Sequence, residues 1–77
     1  MEELIIAIAQ GLVDDKQSVT VTADEPGEDG IIVYHLHVAA DDMGRVIGKQ
    51  GRIAKSIRTI VRAAANRQGS KVAVEID

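Results

Sequence analysis

The 77-residue sequence has no cysteine, tryptophan or phenylalanine, and only one proline and one tyrosine. Without cysteine there is no disulfide scaffold, no thiolate zinc site and no thiol nucleophile. With Tyr34 as the lone aromatic ring, base stacking worth about 1–3 kcal/mol per base has almost no platform. The longest apolar run, Leu4 to Ala9, is far short of the roughly 20 residues a membrane-spanning helix needs. The opening Met1-Glu2-Glu3 is acidic where a signal peptide is basic, so a soluble, cytoplasmic protein without membrane association is expected. One further absence matters most: no acid falls between Arg45 and Lys71.

What is present fits one small globular domain over 1–77. Apolar residues are 45% of the chain, enough for a compact core rather than a disordered tail, and the length leaves no room for a second domain. The net charge of −3 hides two opposed halves. Residues 1–44 hold ten acids against Lys16, a balance of −9. Residues 45–77 hold eight bases against Glu75 and Asp77, a balance of +6. A solvated helix face explains some of those bases. An unbroken run of one sign points instead to a surface that meets a polyanion, because the local field decides association.

The hydrophobic pattern predicts six elements. Leu4, Ile5, Ile8 and Leu12 recur at helical spacing and predict a helix over 2–13. Val19, Val21 and Ala23 alternate with threonines as a strand does. Turn chemistry over 25–30 then leads into a stronger strand, Ile31–Ala39, with Ile32, Tyr34, Leu36 and Val38 on one face and His35 and His37 on the other. The two strands are expected to pair as a hairpin. Asp41 or Asp42 is expected to cap a short helix ending near Ile47. A long helix over 52–68 carries Ile53, Ala54, Ile57, Ile60, Val61 and Ala64 as its apolar stripe, with Arg67 and Gly69 marking its stop. Val72, Val74 and Ile76 form a closing strand. Helices covering one face of a three-stranded sheet make an α+β fold.

Between the last two helices lies Val46-Ile47-Gly48-Lys49-Gln50-Gly51-Arg52-Ile53-Ala54-Lys55. Glycine lacks a Cβ, so a sugar–phosphate chain can come close to this loop. The helix that follows offers unpaired N–H groups and the positive end of its dipole. Lys49 and Arg52 add full charges, and Ile47 and Ile53 can wall a shallow groove beside the loop. Lys49 and Gln50 are expected over the nucleic-acid backbone at the loop tip, Gly48 and Gly51 to permit the approach, and Arg45, Arg52 and Lys55 to supply nearby charge. The edge of the Ile31–Ala39 strand is expected to complete the groove, and Arg58 and Arg62 to extend the charge.

This segment resembles the signature of the KH domain, an aliphatic–Ile–Gly–x–x–Gly–x–x–Ile pattern. The isoleucine after the second glycine is Ile53, one place earlier than the strictest spacing, where Ala54 stands. The element order resembles the type II arrangement, with the core KH motif over 30–77. In length, and in the run from Gly44 through Ala65, the chain is similar to the stand-alone KH-domain RNA-binding proteins of bacteria, the KhpA group. That resemblance implies a mixed three-stranded sheet and recognition of about four nucleotides of single-stranded RNA. It further implies a non-enzymatic RNA chaperone or post-transcriptional regulator, linked to cell elongation and cell-wall homeostasis and associating with a larger KH protein of the Jag type. A short single domain with few phosphate contacts is separately expected to work as a homodimer or beside such a second RNA-binding chain.

Other readings compete with this one. Gly44-x-x-x-Gly48-Lys49-Gln50 has three residues between its glycines and no Ser or Thr after the lysine, so it lacks the parts of a nucleotide-hydrolysing P-loop. His35 and His37 have no cysteine and no obvious third ligand to join them at a metal, and an exposed histidine pair without metal or cofactor is expected. Asp14, Asp15, Asp41 and Asp42 fall at helix boundaries, where capping explains them. A helix-turn-helix DNA reader built from 42–65 is opposed by three strands and the lack of a third supporting helix. A protein-interaction module without RNA binding is the remaining alternative, with Ala63-Ala64-Ala65 as its small-residue surface.

Overall fold

In a computed structural model, which describes residues 1–76, the order is α1 (Glu2–Gln10), β1 (Thr20–Ala23), β2 (Ile31–His37), α2 (Met43–Ile47), α3 (Arg52–Arg67) and β3 (Lys71–Ile76). Glu2 and Glu3 sit in the first turn of α1, where negative charge suits the helix dipole. Ile5 and Ala9 are fully buried on its inner face. The helix is three residues shorter than its spacing predicts. After Gln10 the chain tightens, the amide of Leu12 donating to the carbonyl of Ala9 at 3.0 Å. This turn still delivers Val13 to the core, which is why the apolar spacing outlasts the helix.

The hairpin forms as expected. β1 and β2 run antiparallel, from Thr20 opposite His37 to Ala23 opposite Tyr34. β3 pairs with β2 in parallel, from Ile31 beside Lys71 to Leu36 beside Ile76. Parallel neighbours need a long crossover, and α2, the loop at 48–51 and α3 supply it. The strand order is β1-β2-β3, so β2 is central, with a neighbouring strand on each side. The sequence predicts a groove wall along an edge of Ile31–Ala39, but β3 pairs with this strand over Ile31–Leu36 and β1 over Tyr34–His37, and the edge strand packed against α3 is β3. Tyr34, Leu36, Val38, Val72 and Val74 face the helices and are buried, as their alternation predicts. On the opposite face His37 is exposed. His35 is engaged by two carboxylates, Nε2 lying 2.9 Å from Asp24 and Nδ1 3.5 Å from Glu75.

The inner face of α3 is Ala54, Ile57, Val61 and Ala65, all buried. Ile53, Ile60 and Ala64 lie one residue earlier in each turn, about 100° around the helix. Ile60 is accordingly 49% exposed rather than part of the core stripe. The helix stops where the sequence marks it. Gly69 adopts φ 75°, the amide of Ser70 donates to Ala65 at 2.9 Å, and that of Gly69 donates to Asn66 at 3.1 Å. This pair of bonds satisfies two of the last-turn carbonyls of the helix, those of Ala65 and Asn66.

The start of α2 differs from expectation. Asp41 and Asp42 lie in a 3-10 turn at Ala40–Asp42, and neither side chain caps α2. A capping residue normally has extended backbone, which swings its oxygen over the first-turn amides. Asp42 instead has φ −96° and ψ −9°, so its carboxylate reaches away and accepts from the amides of Asp14 (3.2 Å) and Asp15 (3.1 Å).

Candidate nucleic-acid interface

The loop between α2 and α3 is built on three residues with positive φ, Gly48 (φ 75°), Gln50 (φ 58°) and Gly51 (φ 75°). The two glycines are required for different reasons. Gly48 combines its positive φ with ψ 177°, a region that essentially only glycine occupies. A Cβ there would also lie 2.6 Å from Cγ1 of Ile53. Gly51 has φ 75° and ψ 13°, with open space where its Cβ would be. Gln50 is the only non-glycine residue with positive φ among the described residues. Such strain of order 1–3 kcal/mol persists where the surroundings enforce it, commonly at functional sites.

The loop ends at the start of α3, whose cap is Gly51 with no side-chain hydrogen bond and with no acid in the first turn. The first amides of α3 therefore lack a side-chain acceptor, and the positive end of the dipole is uncompensated. Lys49, Gln50 and Arg52 are exposed around it, and Lys55 is exposed one turn on. Ile47 is 39% exposed beside the loop. Ile53 is half-buried and packs beneath Gly48, while Ala54, at the strict position of the motif, faces the core. Seven of the sequence-selected residues, from Ile47 to Ile53, thus converge on one short turn.

Arg45 does not join them. It lies two residues before Ile47, about 200° around α2, and its Nη1 is 2.6 Å from Asp14 and 3.9 Å from Asp42. The hydrogen bond to Asp14, then the charge of that carboxylate, raises the guanidinium pKa above its ordinary value.

Arg58 has a more definite position than a solvated charge. It is half-buried, and its Nε donates to the carbonyl of Val74 at 3.1 Å, laying the side chain over the outer edge of β3. Next to it, a cleft between α3 and β3 is lined by Ile31, Arg62, Asn66, Lys71, Val72 and Ala73. Lys55, Arg58 and Arg62 are spaced three and four residues apart, so they form one stripe on α3. That spacing is the signal for the stripe; the placement of Arg58 and Arg62 beside β3 is not visible in the chain.

A mixed sheet with order α-β-β-α-α-β, helices on one face and a glycine-bounded turn between the last two helices defines a type II KH domain. The family model described as "KhpA/KhpB, KH domain" matches residues 2–76. The RNA-binding protein KhpA of Listeria monocytogenes serovar 1/2a is 50% identical over 76 residues, covering 99% of this chain and 97% of that protein. The RNA-binding protein KhpA of Clostridium perfringens strain 13 is 54% identical over 76 residues, with 99% of both chains covered. The chain belongs to the KhpA/KhpB KH-domain family. Among solved structures, an Aquifex aeolicus Era variant bound to GDP and aluminium fluoride superposes with a TM-score of 0.67 at 22% identity, over 97% of this chain and 28% of that one. Era in complex with MgGDPNP and nucleotides 1506–1542 of 16S ribosomal RNA gives a TM-score of 0.64 at 21% identity, with the same coverage. At those identities the likeness is one of fold.

Proposed function

We infer that this protein binds single-stranded RNA without catalysis, holding the sugar–phosphate backbone at Gly48-Lys49-Gln50-Gly51. The observation that carries the reading is the turn itself. Two glycines bare the main chain where α3 begins without a side-chain cap, with Lys49 and Arg52 beside it and no acid in the first turn. The naming of its relatives as RNA-binding proteins over nearly the full chain supports the same reading. Bases would lie beside Ile47, and the strand would continue along Lys55, Arg58 and Arg62 toward the α3–β3 cleft.

Tyr34 is buried against the core, which leaves no ring for stacking. Two or three phosphate contacts then give a log–log salt slope of about −1.5 to −2 for a single strand. A Kd near micromolar, about −8 kcal/mol, is expected for the isolated domain on a short RNA. Gel shifts at equal salt with single-stranded RNA and duplex DNA test this. Preference for the duplex would favour a helix-turn-helix mode and overturn the reading. The α3–β3 cleft gives a second expectation. Replacing Arg62 and Lys71 together by Ala should weaken binding to an octanucleotide about three- to tenfold and leave a tetranucleotide nearly unaffected, as fluorescence anisotropy with both lengths would show.

Weak single-site binding fits a protein that works as a homodimer or beside a second RNA-binding chain of the Jag type. Two linked sites raise avidity by about 10² to 10⁴ where geometry allows both to engage. In the cell this corresponds to an RNA chaperone or post-transcriptional regulator acting in elongation and wall homeostasis. Solution mass with and without RNA, and sequencing of RNA crosslinked in cells, test these parts separately.

A further inference from the structure

We propose that Asp42, Arg45 and Asp14 form a latch that fixes α2 against the chain leaving α1 and so sets the position of the 48–51 loop. On this view Asp42 and Arg45 are positioning residues, and Arg45 directs its charge to the carboxylates of Asp14 and Asp42 rather than to RNA. The proposal rests on the reading of that loop as the RNA grip.

The need for a latch follows from α2 itself. Five residues cannot hold a helix alone, and only Val46 of α2 is buried. Any rotation of α2 passes directly into Gly48, its next residue. Asp42, just before α2, is the one buried charged side chain among the described residues, at 3% exposure. Each of its oxygens accepts one amide from the turn after α1, Oδ1 from Asp14 and Oδ2 from Asp15. Buried carboxylates persist where such partners replace water. Arg45 closes the arrangement from within α2, with Nη1 2.6 Å from Asp14 and 3.9 Å from Asp42. Asp15 is outside that ion-pair contact, its carboxylate accepting from the hydroxyl of Ser18 at 2.6 Å. The latch thus ties residues about 30 positions apart in sequence, on the side of α2 opposite Ile47.

The sign of one substitution separates this from simple electrostatics. Asp14→Asn removes a negative charge from a protein that meets a polyanion, so a field effect alone would tighten RNA binding. The latch requires the reverse, about a threefold loss, the scale of an exposed ion pair. Asp15→Asn makes the same charge change next door and should bind as well as wild type or slightly better. Arg45→Gln should weaken binding about threefold with an unchanged salt slope. Lys49→Gln should make the slope shallower by about 0.7, one phosphate contact on a single strand. The experiment is titration of a fluorescent single-stranded octanucleotide at several salt concentrations with these four variants. Amide NMR spectra of each free protein are recorded alongside, in which Asp14→Asn and Arg45→Gln should move the Gly48–Gly51 resonances more than Asp15→Asn does. Binding by Asp14→Asn as tight as that by Asp15→Asn overturns the latch, and so does an Arg45→Gln slope reduced like that of Lys49→Gln. If Lys49→Gln changes neither affinity nor slope, it is the loop reading that fails. The amide shifts alone then decide for or against the latch.

Discussion

Gly48→Ala should destabilise the protein by about 3 kcal/mol, whereas Gly51→Ala should cost only about 1 kcal/mol. Both glycines have φ 75°, and a left-handed backbone costs an L-residue about 1–2 kcal/mol. At Gly51 that is the whole penalty, because nothing lies within 4 Å of the added methyl. At Gly48 the backbone lies in a region essentially reserved for glycine, and the methyl would stand 2.6–2.9 Å from three carbons of Ile53. Relief means shifting Ile53, which packs on the core, and overpacking of this kind costs about 1–3 kcal/mol. For a domain of this size 3 kcal/mol lowers Tm on the order of 15 °C. Thermal melts of the two variants check the contrast. Equal losses would mean that Ile53 does not press on the turn.

The second large effect is on binding rather than stability. Lys49→Asp with Gln50→Asp should leave the melt close to wild type, because both side chains are exposed and such changes usually stay within about 0.5 kcal/mol. RNA affinity should fall at least tenfold, which needs only about 1.4 kcal/mol. The double variant loses one favourable charge and sets two negative ones where the backbone would approach. At that range screening over roughly 8–10 Å gives little relief. Replacing Arg67, in the last turn of α3, serves as a control and should matter much less. Melting and anisotropy on the same samples separate folding from binding. A folded double variant that binds like wild type would remove the loop from the mechanism.

The elements and the turn were legible in the chain because their signals are local. Alternation marked the strands, spacing marked α3, and the two glycines with their basic neighbours marked the loop. What the chain did not show depends on distant partners. Which strand is central depends on pairing between residues some 40 positions apart, so alternation in Ile31–Ala39 could not show that a strand lies on each side of it. Ile60 and Ala64 are apolar at helical spacing, yet only the neighbours packed on α3 decide which flank is covered. Asp42 carries the composition of a cap and Arg45 that of a phosphate ligand. Their partners lie near residue 14, and nothing local announces that pairing. Arg58 has the spacing of extended charge along α3, and its contact with Val74 requires β3 to be in place.

The most direct test of the RNA-grip reading is an amide chemical-shift titration of the wild-type protein with a short single-stranded RNA. The account predicts the largest changes at Gly48, Lys49, Gln50, Gly51 and the first amides of α3, followed by smaller ones along Arg58 and Arg62, with His35 and His37 on the bare sheet face unmoved. Changes concentrated on that sheet face, with the 48–51 amides still, would contradict it.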